Sequence, residues 1–297
     1  MRLILPVLTC ALLIACGPPV SSDGGGNRGS ADAGNSSTDA GGNQPVVPDR
    51  PVATGTCPTF SDGTNAISPR GQNRQVDVYL PNRTDNAPVL FIWHGLGGNP
   101  ANMARGFGAQ GIAGQHGAIV VVPHSSGQFA NSEWAFTGDG TVDAALFEET
   151  LSCLDAQFGI DRGRVYTTGF SAGALWSTWL LMHKSEYLAS AALFSGGVMG
   201  NGYITPTFDL PVLAIHGGAS DVFGGFLRFN EITVALADSL KGDGHFVVLC
   251  NHDSGHTIPF SPTAFAIPFL FDHRFGDASS VHSSGLASNW PDFCAIH

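Results

Sequence analysis

The run RVYTTGFSAGALWS, residues 164–177, sets one serine between two glycines, with a β-rich stretch before it and an apolar stretch after it. Gly169-Phe170-Ser171-Ala172-Gly173 fits the pattern G-x-S-x-G, in which a sharp strand-to-helix turn lifts a serine hydroxyl clear of the backbone. A serine hydroxyl is a poor nucleophile until a histidine takes its proton, and that histidine needs a carboxylate to fix its tautomer and steady its charged form. The chemistry would be acyl transfer, in which the serine attacks a carbonyl, an oxyanion is held by preorganised donors, and water releases the acyl group. So short a pattern arises by chance in a glycine-rich chain, and its meaning depends on its companions.

Those companions follow in a usable order. PVLAIHGGASDVF reads as a strand that delivers Asp221 into the loop beyond, whereas Asp209 precedes that strand at its wrong end and Asp238 and Asp243 lie on or just after a helix. HFVVLCNHDSGHTIP offers His245 before the next strand, His252 at its end and His256 in the following loop, between Gly255 and Pro259. His256 is the expected base and Asp221 the expected acid. His216 and His124 read as pocket-lining or structural. FIWHGLGG ends an earlier strand with His94-Gly95-Leu96-Gly97-Gly98, so the backbone N–H groups of Leu96 and Ala172 are the expected oxyanion donors. Trp134, in the loop after AIVVVPH, and Phe170 and Phe223, beside the nucleophile and the acid, are the aromatic candidates for substrate contact; Trp93 reads as core.

These residues need a frame that gathers strand ends. GQNRQVDVYLP alternates Val76, Val78 and Leu80 as a half-exposed edge strand does, while VLFIWHG and AIVVVPH are continuous apolar runs suited to buried strands, and RVYTTG, SAALFSG, PVLAIHG and FVVLCNH extend the series. Helices are expected over 143–158, 172–183, 229–240 and 262–273. Strands and helices alternating at this spacing imply an α/β fold, a mostly parallel sheet flanked by helices, with chemistry at the carboxyl ends of the strands. Between SAALFSG and PVLAIHG the connection GVMGNGYITPTFDL is too short for a helical lid, which predicts an open cleft.

The formal charge of −11 comes without a Lys/Arg cluster, which argues against nucleic acid as a partner. Met1-Arg2 followed by LILPVLTCALLIA reads as a signal peptide over 1–15, too short to stay as a membrane span. Leu13-Ile14-Ala15-Cys16-Gly17 resembles the bacterial lipobox, which makes Cys16 the lipidated first residue of an exported protein held at a membrane surface by its lipid alone, or released. Residues 16–56 read as a flexible Gly/Ser/Asp/Asn-rich tether and 57–297 as the catalytic domain, expected to be a monomer. Cys57, Cys153, Cys250 and Cys294 remain for two disulfides among three connectivities, with Cys57 and Cys294 placed to staple the two ends of the domain.

From about Cys57 to Cys294 the chain resembles the extracellular polyhydroxybutyrate depolymerase and feruloyl esterase-like group of α/β-hydrolases, allied to acetylxylan esterases. The resemblance is carried by the HG-x-G after the early strand, by Asp161-Arg162-Gly163-Arg164-Val165-Tyr166 leading into Gly169–Gly173, by IHG followed by Asp221, and by Gly255-His256 with Pro259. It implies an α/β-hydrolase fold and a serine carboxylic ester hydrolase with no metal or organic cofactor, working on polymer-borne, plant-wall or aromatic esters. An acetylxylan esterase or general carboxylesterase is the alternative on the same fold, and a peptidase or amidase the rival bond specificity. Outside enzymes, the alternative is an inactive surface lipoprotein that binds polysaccharide or polymer. Many relatives place a cysteine directly before the I-D of the D-x-x-R-V-Y run; here Gly159 stands there, so family disulfide pairings do not transfer.

Overall fold

The computed structural model describes residues 47, 49–50, 52–127, 133–199, 202–277 and 279–297. The expected signal segment, Cys16 and most of the tether lie outside the described residues. In chain order the elements are β1 Gly63–Ile67, β2 Arg74–Tyr79, β3 Val89–Trp93, α1 Pro100–Phe107, α2 Ala109–His116, β4 Ile119–Pro123, α3 Thr141–Phe158, β5 Val165–Phe170, α4 Ala172–His183, β6 Ser190–Phe194, β7 Val212–His216, β8 Val222–Phe223, β9 Leu227–Arg228, α5 Phe229–Gly242, β10 Val247–Asn251, α6 Ala266–Phe271 and β11 Cys294–Ile296.

Among the described residues one sheet runs β1-β2-β4-β3-β5-β6-β7-β10-β11, and β8 and β9 form a separate hairpin. The pairings from β4 through β3, β5, β6 and β7 to β10 are parallel, whereas β1, β2 and β11 join antiparallel at the two sides. The continuous apolar runs have a simple cause. Val89, Phe91 and Trp93 enter a core shared with α3, α4 and α5, while Leu90 and Ile92 enter a second core shared with α1, α2 and α6. A strand covered on both faces keeps no polar alternation. This is the expected α/β-hydrolase architecture, and among the described residues no helix lies between β6 and β7.

Several local expectations are corrected. β2 is not an edge strand: Val76 and Val78 are fully buried, and β1, with the unpromising sequence GTNAI, pairs outside it. α1 and α2 were not anticipated, because five glycines (106, 108, 111, 114 and 117) interrupt their apolar pattern. The entry to α1 nevertheless carries a signal, since Asn99 accepts the Asn102 N–H and Pro100 occupies the first turn. The helix expected over 262–273 contracts to α6. Contacts with the body also begin before Cys57, with the Arg50 guanidinium donating to the Arg162 carbonyl at 2.8 Å and Gly55 N–H to Glu149 at 3.2 Å.

The disulfides pair Cys57 with Cys153 and Cys250 with Cys294, so the staple between Cys57 and Cys294 is not formed. The reason is register: Cys294 of β11 lies directly across from Cys250 of β10. Cys57–Cys153 instead fastens the segment before β1 to α3 across 96 residues of sequence. Replacing both cysteines of that pair by alanine should cost about 3 kcal/mol, roughly 10 °C in Tm for a domain of this size. Thermal melts of the double variant check this; an unchanged Tm would mean that contacts such as Arg50–Arg162 already hold the segment.

Candidate active site

Ser171 stands between the end of β5 and the start of α4 with φ 55° and ψ −120°, a backbone region that side chains avoid and that carries a strain of about 1–3 kcal/mol. The surroundings enforce it. Ser171 N–H donates to the Phe194 carbonyl at 2.9 Å, and α4 sits directly against the end of β3. A Cβ on Gly173 would lie 2.0 Å from the Trp93 carbonyl oxygen, and one on Gly169 would lie 2.5 Å from the Gly173 carbonyl carbon. Both glycines of the motif are therefore required by close backbone approach.

The structure brings Ser171, His256 and Asp221 together. The Asp221 carboxylate is fully buried and its Oδ1 is 2.7 Å from His256 Nδ1; His256 Nε2 is 2.9 Å from Ser171 Oγ. A carboxylate has no proton to give, so Nδ1 carries the hydrogen and Nε2 is left to accept from the serine hydroxyl. Burial pushes the Asp221 carboxyl up, but hydrogen bonds from His256, the Gly217 N–H and the Ser195 hydroxyl outweigh it and hold the group below the usual carboxylate range. The last two donors reach Oδ2 at 2.8 Å each. The loops that carry acid and base are stitched together as well. Gly255 N–H donates to the Gly217 carbonyl at 2.8 Å and His252 N–H to the His216 carbonyl at 3.1 Å.

The two expected oxyanion donors flank the serine. In α4 the first intrahelical bond runs from Leu175 N–H to Ser171 O, so the Ala172 N–H precedes any helical partner. Across from it, Gly98 N–H closes a turn onto Gly95 O at 3.0 Å, a bond that uses neither the Leu96 nor the Gly97 N–H. A Cβ on Gly95 would lie 3.3 Å from Ser171 Cβ, which puts this turn directly over Ser171. Leu96, Met103, Phe170 and Phe223 line a cavity of about 370 Å³ that contains Ser171 and His256.

Trp134 is a correction. Its ring is fully buried, packs on Trp93 and His94 at centroid distances of 5.0 and 4.9 Å, and donates Nε1–H to the His94 carbonyl at 2.8 Å, so it offers no surface for a substrate to stack on. Trp93 is core, as expected. The set-aside candidates are engaged elsewhere: Asp238 meets His297, Asp243 meets Tyr203, His245 lies 3.8 Å from Asp209, and His124 is 2.9 Å from Asp77. Sequence reasoning missed Ser195, which sits at φ 54° where β6 ends, and Phe229, whose ring stacks on His256 at 4.6 Å. A serine one residue past a buried parallel strand is a weak signal for the first; nothing in the sequence marks the second.

Two outcomes follow from this geometry. Gly173→Ala should destabilise the fold by at least about 2 kcal/mol, because the added methyl has only backbone to displace; a variant that melts with the parent would mean that α4 can slide off β3. Asp221→Asn tests the charge. A carboxyl whose folded value is depressed stabilises the protein at pH values above its unfolded value of about 3.9 and loses that contribution as pH falls through the folded value. Urea unfolding should therefore show the variant weaker than the parent at neutral pH and the gap narrowing toward pH 3. A gap that widened in acid would contradict the assignment.

The comparisons agree with this layout. Residues 75–220 match the family described as Esterase PHB depolymerase. Feruloyl esterase D of Neurospora crassa is 28% identical over 157 residues, which is 48% of this chain and 52% of that protein. Poly(3-hydroxyalkanoate) depolymerase C of Paucimonas lemoignei is 34% identical over 133 residues, 42% of this chain and 32% of that protein. The chain spans between about a quarter and two thirds of the length of the curated relatives it matches. The crystal structure of native pOPH superposes with a TM-score of 0.64 at 18% identity, covering 82% of this chain and 96% of that one, and so shares its fold. Through residues 75–220, just under half of its length, the chain matches the Esterase PHB depolymerase family.

Proposed function

We propose that this chain is a serine carboxylic ester hydrolase that works through an acyl-enzyme. The single observation that carries the reading is the unbroken hydrogen-bonded series from Asp221 through His256 to Ser171, set at the floor of an accessible cavity. Ser171 Oγ attacks the ester carbonyl as His256 Nε2 takes its proton. The buried Asp221 carboxylate holds the imidazole in the tautomer that can accept and stabilises the imidazolium that forms. The N–H groups of Leu96 and Ala172 receive the tetrahedral oxyanion. His256 then returns the proton to the leaving alcohol, and water, activated by the same imidazole, releases the acid.

The substrate is a polymer-borne or aromatic ester. Support comes from the wall of Leu96, Met103, Phe170 and Phe223, from the connection between β6 and β7, which has no helix among its described residues, and from the family's description as PHB depolymerases. An open cleft suits an ester on a chain too large to enclose. Two disulfides support an oxidising compartment, and the lipobox-like segment at Cys16 supplies a lipid anchor for an exported enzyme.

Ser171→Ala should lower kcat by on the order of 10⁶ with folding intact, His256→Ala nearly as much, and Asp221→Asn somewhat less, because the three act as a unit. A fluorophosphonate probe should label the parent and not the serine variant. Retention of even a hundredth of the activity in Ser171→Ala would assign the nucleophile elsewhere. Assays on polyhydroxybutyrate, feruloyl and acetyl esters in parallel test the substrate class, and activity confined to small acetate esters would overturn it.

A further inference from the structure

The turn that carries Leu96 is held from outside by two consecutive residues. Glu133 accepts the Gly97 N–H through Oε1 at 2.9 Å, and its other oxygen, Oε2, accepts the Ser125 hydroxyl at 2.5 Å. Trp134, the next residue, donates to the His94 carbonyl and wedges its ring against Trp93 and His94. The holding segment is itself anchored, since Ala135 N–H donates to the fully buried Asp143 at 2.8 Å, and Asp143 pairs with Arg74 at 2.8 Å. His94 O and Gly97 N–H are thus fixed on either side of Gly95 and Leu96. Glu133 does this from φ +63°, a conformation uncommon for a residue with a side chain and kept only where the surroundings impose it.

We propose that Glu133 and Trp134 form a clamp that aims the Leu96 N–H at the oxyanion, with Glu133 a positioning residue for the reaction; the inference rests on the hydrolase reading above. A backbone donor has no rotamer to set its direction, so its aim is that of the loop. Gly97 has φ +67° at the third position of the turn closed by Gly98 N–H, and the central Leu96–Gly97 peptide of such a turn can rotate between two common geometries. Glu133 selects one of them, because rotation would replace the Gly97 N–H with the Leu96 carbonyl and set two acceptors face to face; the Leu96 N–H lies in the adjoining Gly95–Leu96 peptide, which is held between this fixed peptide and the anchored His94 carbonyl. The carboxylate is engaged by two donors, which limits its repulsion toward a negative charge developing on the far side of the turn. Glutamine separates the two effects. Its amide oxygen can accept from Gly97 and its NH₂ can donate to the Ser125 hydroxyl, so it keeps the geometry and drops the charge.

The test uses the full chain with p-nitrophenyl acetate as substrate and phenylboronic acid as the tetrahedral analogue, comparing Glu133→Ala, Glu133→Gln, Trp134→Phe and Ser171→Ala with the parent. Glu133→Ala should lose on the order of 10- to 100-fold in kcat with KM within about twofold, since only the transition state uses the donor fully. Boronate affinity should fall in parallel with kcat/KM. Glu133→Gln should recover most of both. Trp134→Phe, which keeps an aromatic ring but removes the bond to His94 and part of the packing on Trp93, should lose at least about tenfold in the same pattern. The clamp is overturned if Glu133→Ala keeps parent kcat, if glutamine is as damaging as alanine, or if boronate affinity fails to follow. Should Glu133→Ala not fold, Glu133→Gln beside Trp134→Phe decides, and parent-like kcat and boronate affinity in Trp134→Phe overturns it. A fully active Ser171→Ala would overturn the hydrolase reading and the clamp with it, whereas an inactive Ser171→Ala beside an unaffected Glu133→Ala overturns the clamp alone.

Discussion

The first turn of α4 lies so close to the end of β3 that only glycine fits at position 173, and the site is arranged around that contact. With backbone against backbone, the chain cannot pass from β5 into α4 gradually. It turns within one residue, and Ser171 takes the strained geometry. The same contact sets the distance between Ser171 and the turn after β3. Strain of this kind persists because the apolar residues on both sides of β3, Phe91 and Trp93 in one core and Leu90 and Ile92 in the other, leave the strand no direction in which to retreat.

Asp221 and His256 are held by a different means. They ride on loops after β7 and β10, which are neighbours in the sheet and parallel, so both loops leave from the same edge. Backbone bonds between Gly217 and Gly255 and between His216 and His252 join the loops before any side chain is considered. Asp221 is then charged in a site without solvent, a costly state unless both carboxylate oxygens are met. His256, the Gly217 N–H and the Ser195 hydroxyl meet them. The three donors explain how a buried carboxylate stays ionised and why it cannot rotate away from the imidazole, whose ring is packed by Phe229 and Phe170.

Much of this was legible in the residues alone. Ser171, Asp221 and His256 could be ordered because each follows a stretch that reads as a strand, and the continuous apolar runs among those stretches announce a sheet covered on both faces. The limits have physical causes. β1 was invisible because GTNAI makes its contribution through backbone pairing to β2 and not through an apolar pattern. The helices after Gly98 were hidden by glycines that weaken helix propensity without preventing a helix that packs on a sheet. Trp134 was misread for an instructive reason. A tryptophan in a loop near a cleft looks like a contact surface, but position along the chain says nothing about which way an indole points, and here its N–H had a carbonyl to satisfy in the interior. The Gly217 partner of Asp221 could not be read at all, since a backbone N–H has no letter in the sequence.

The last strand deserves to be considered for what it denies to other molecules. Beyond β7 the sheet would end on β10, a parallel strand of five residues whose outward N–H and C=O groups form a template for any extended chain that drifts alongside. β11 occupies that edge with three residues, too few to stay in place on hydrogen bonds alone, and the bond between Cys250 and Cys294 keeps them there. Even when β11 frays, it remains the nearest strand to its own vacancy, at a local concentration no second molecule can match. The edge of β10 is thereby kept for its own chain, and the outer edge that β11 leaves in its place is only three residues long.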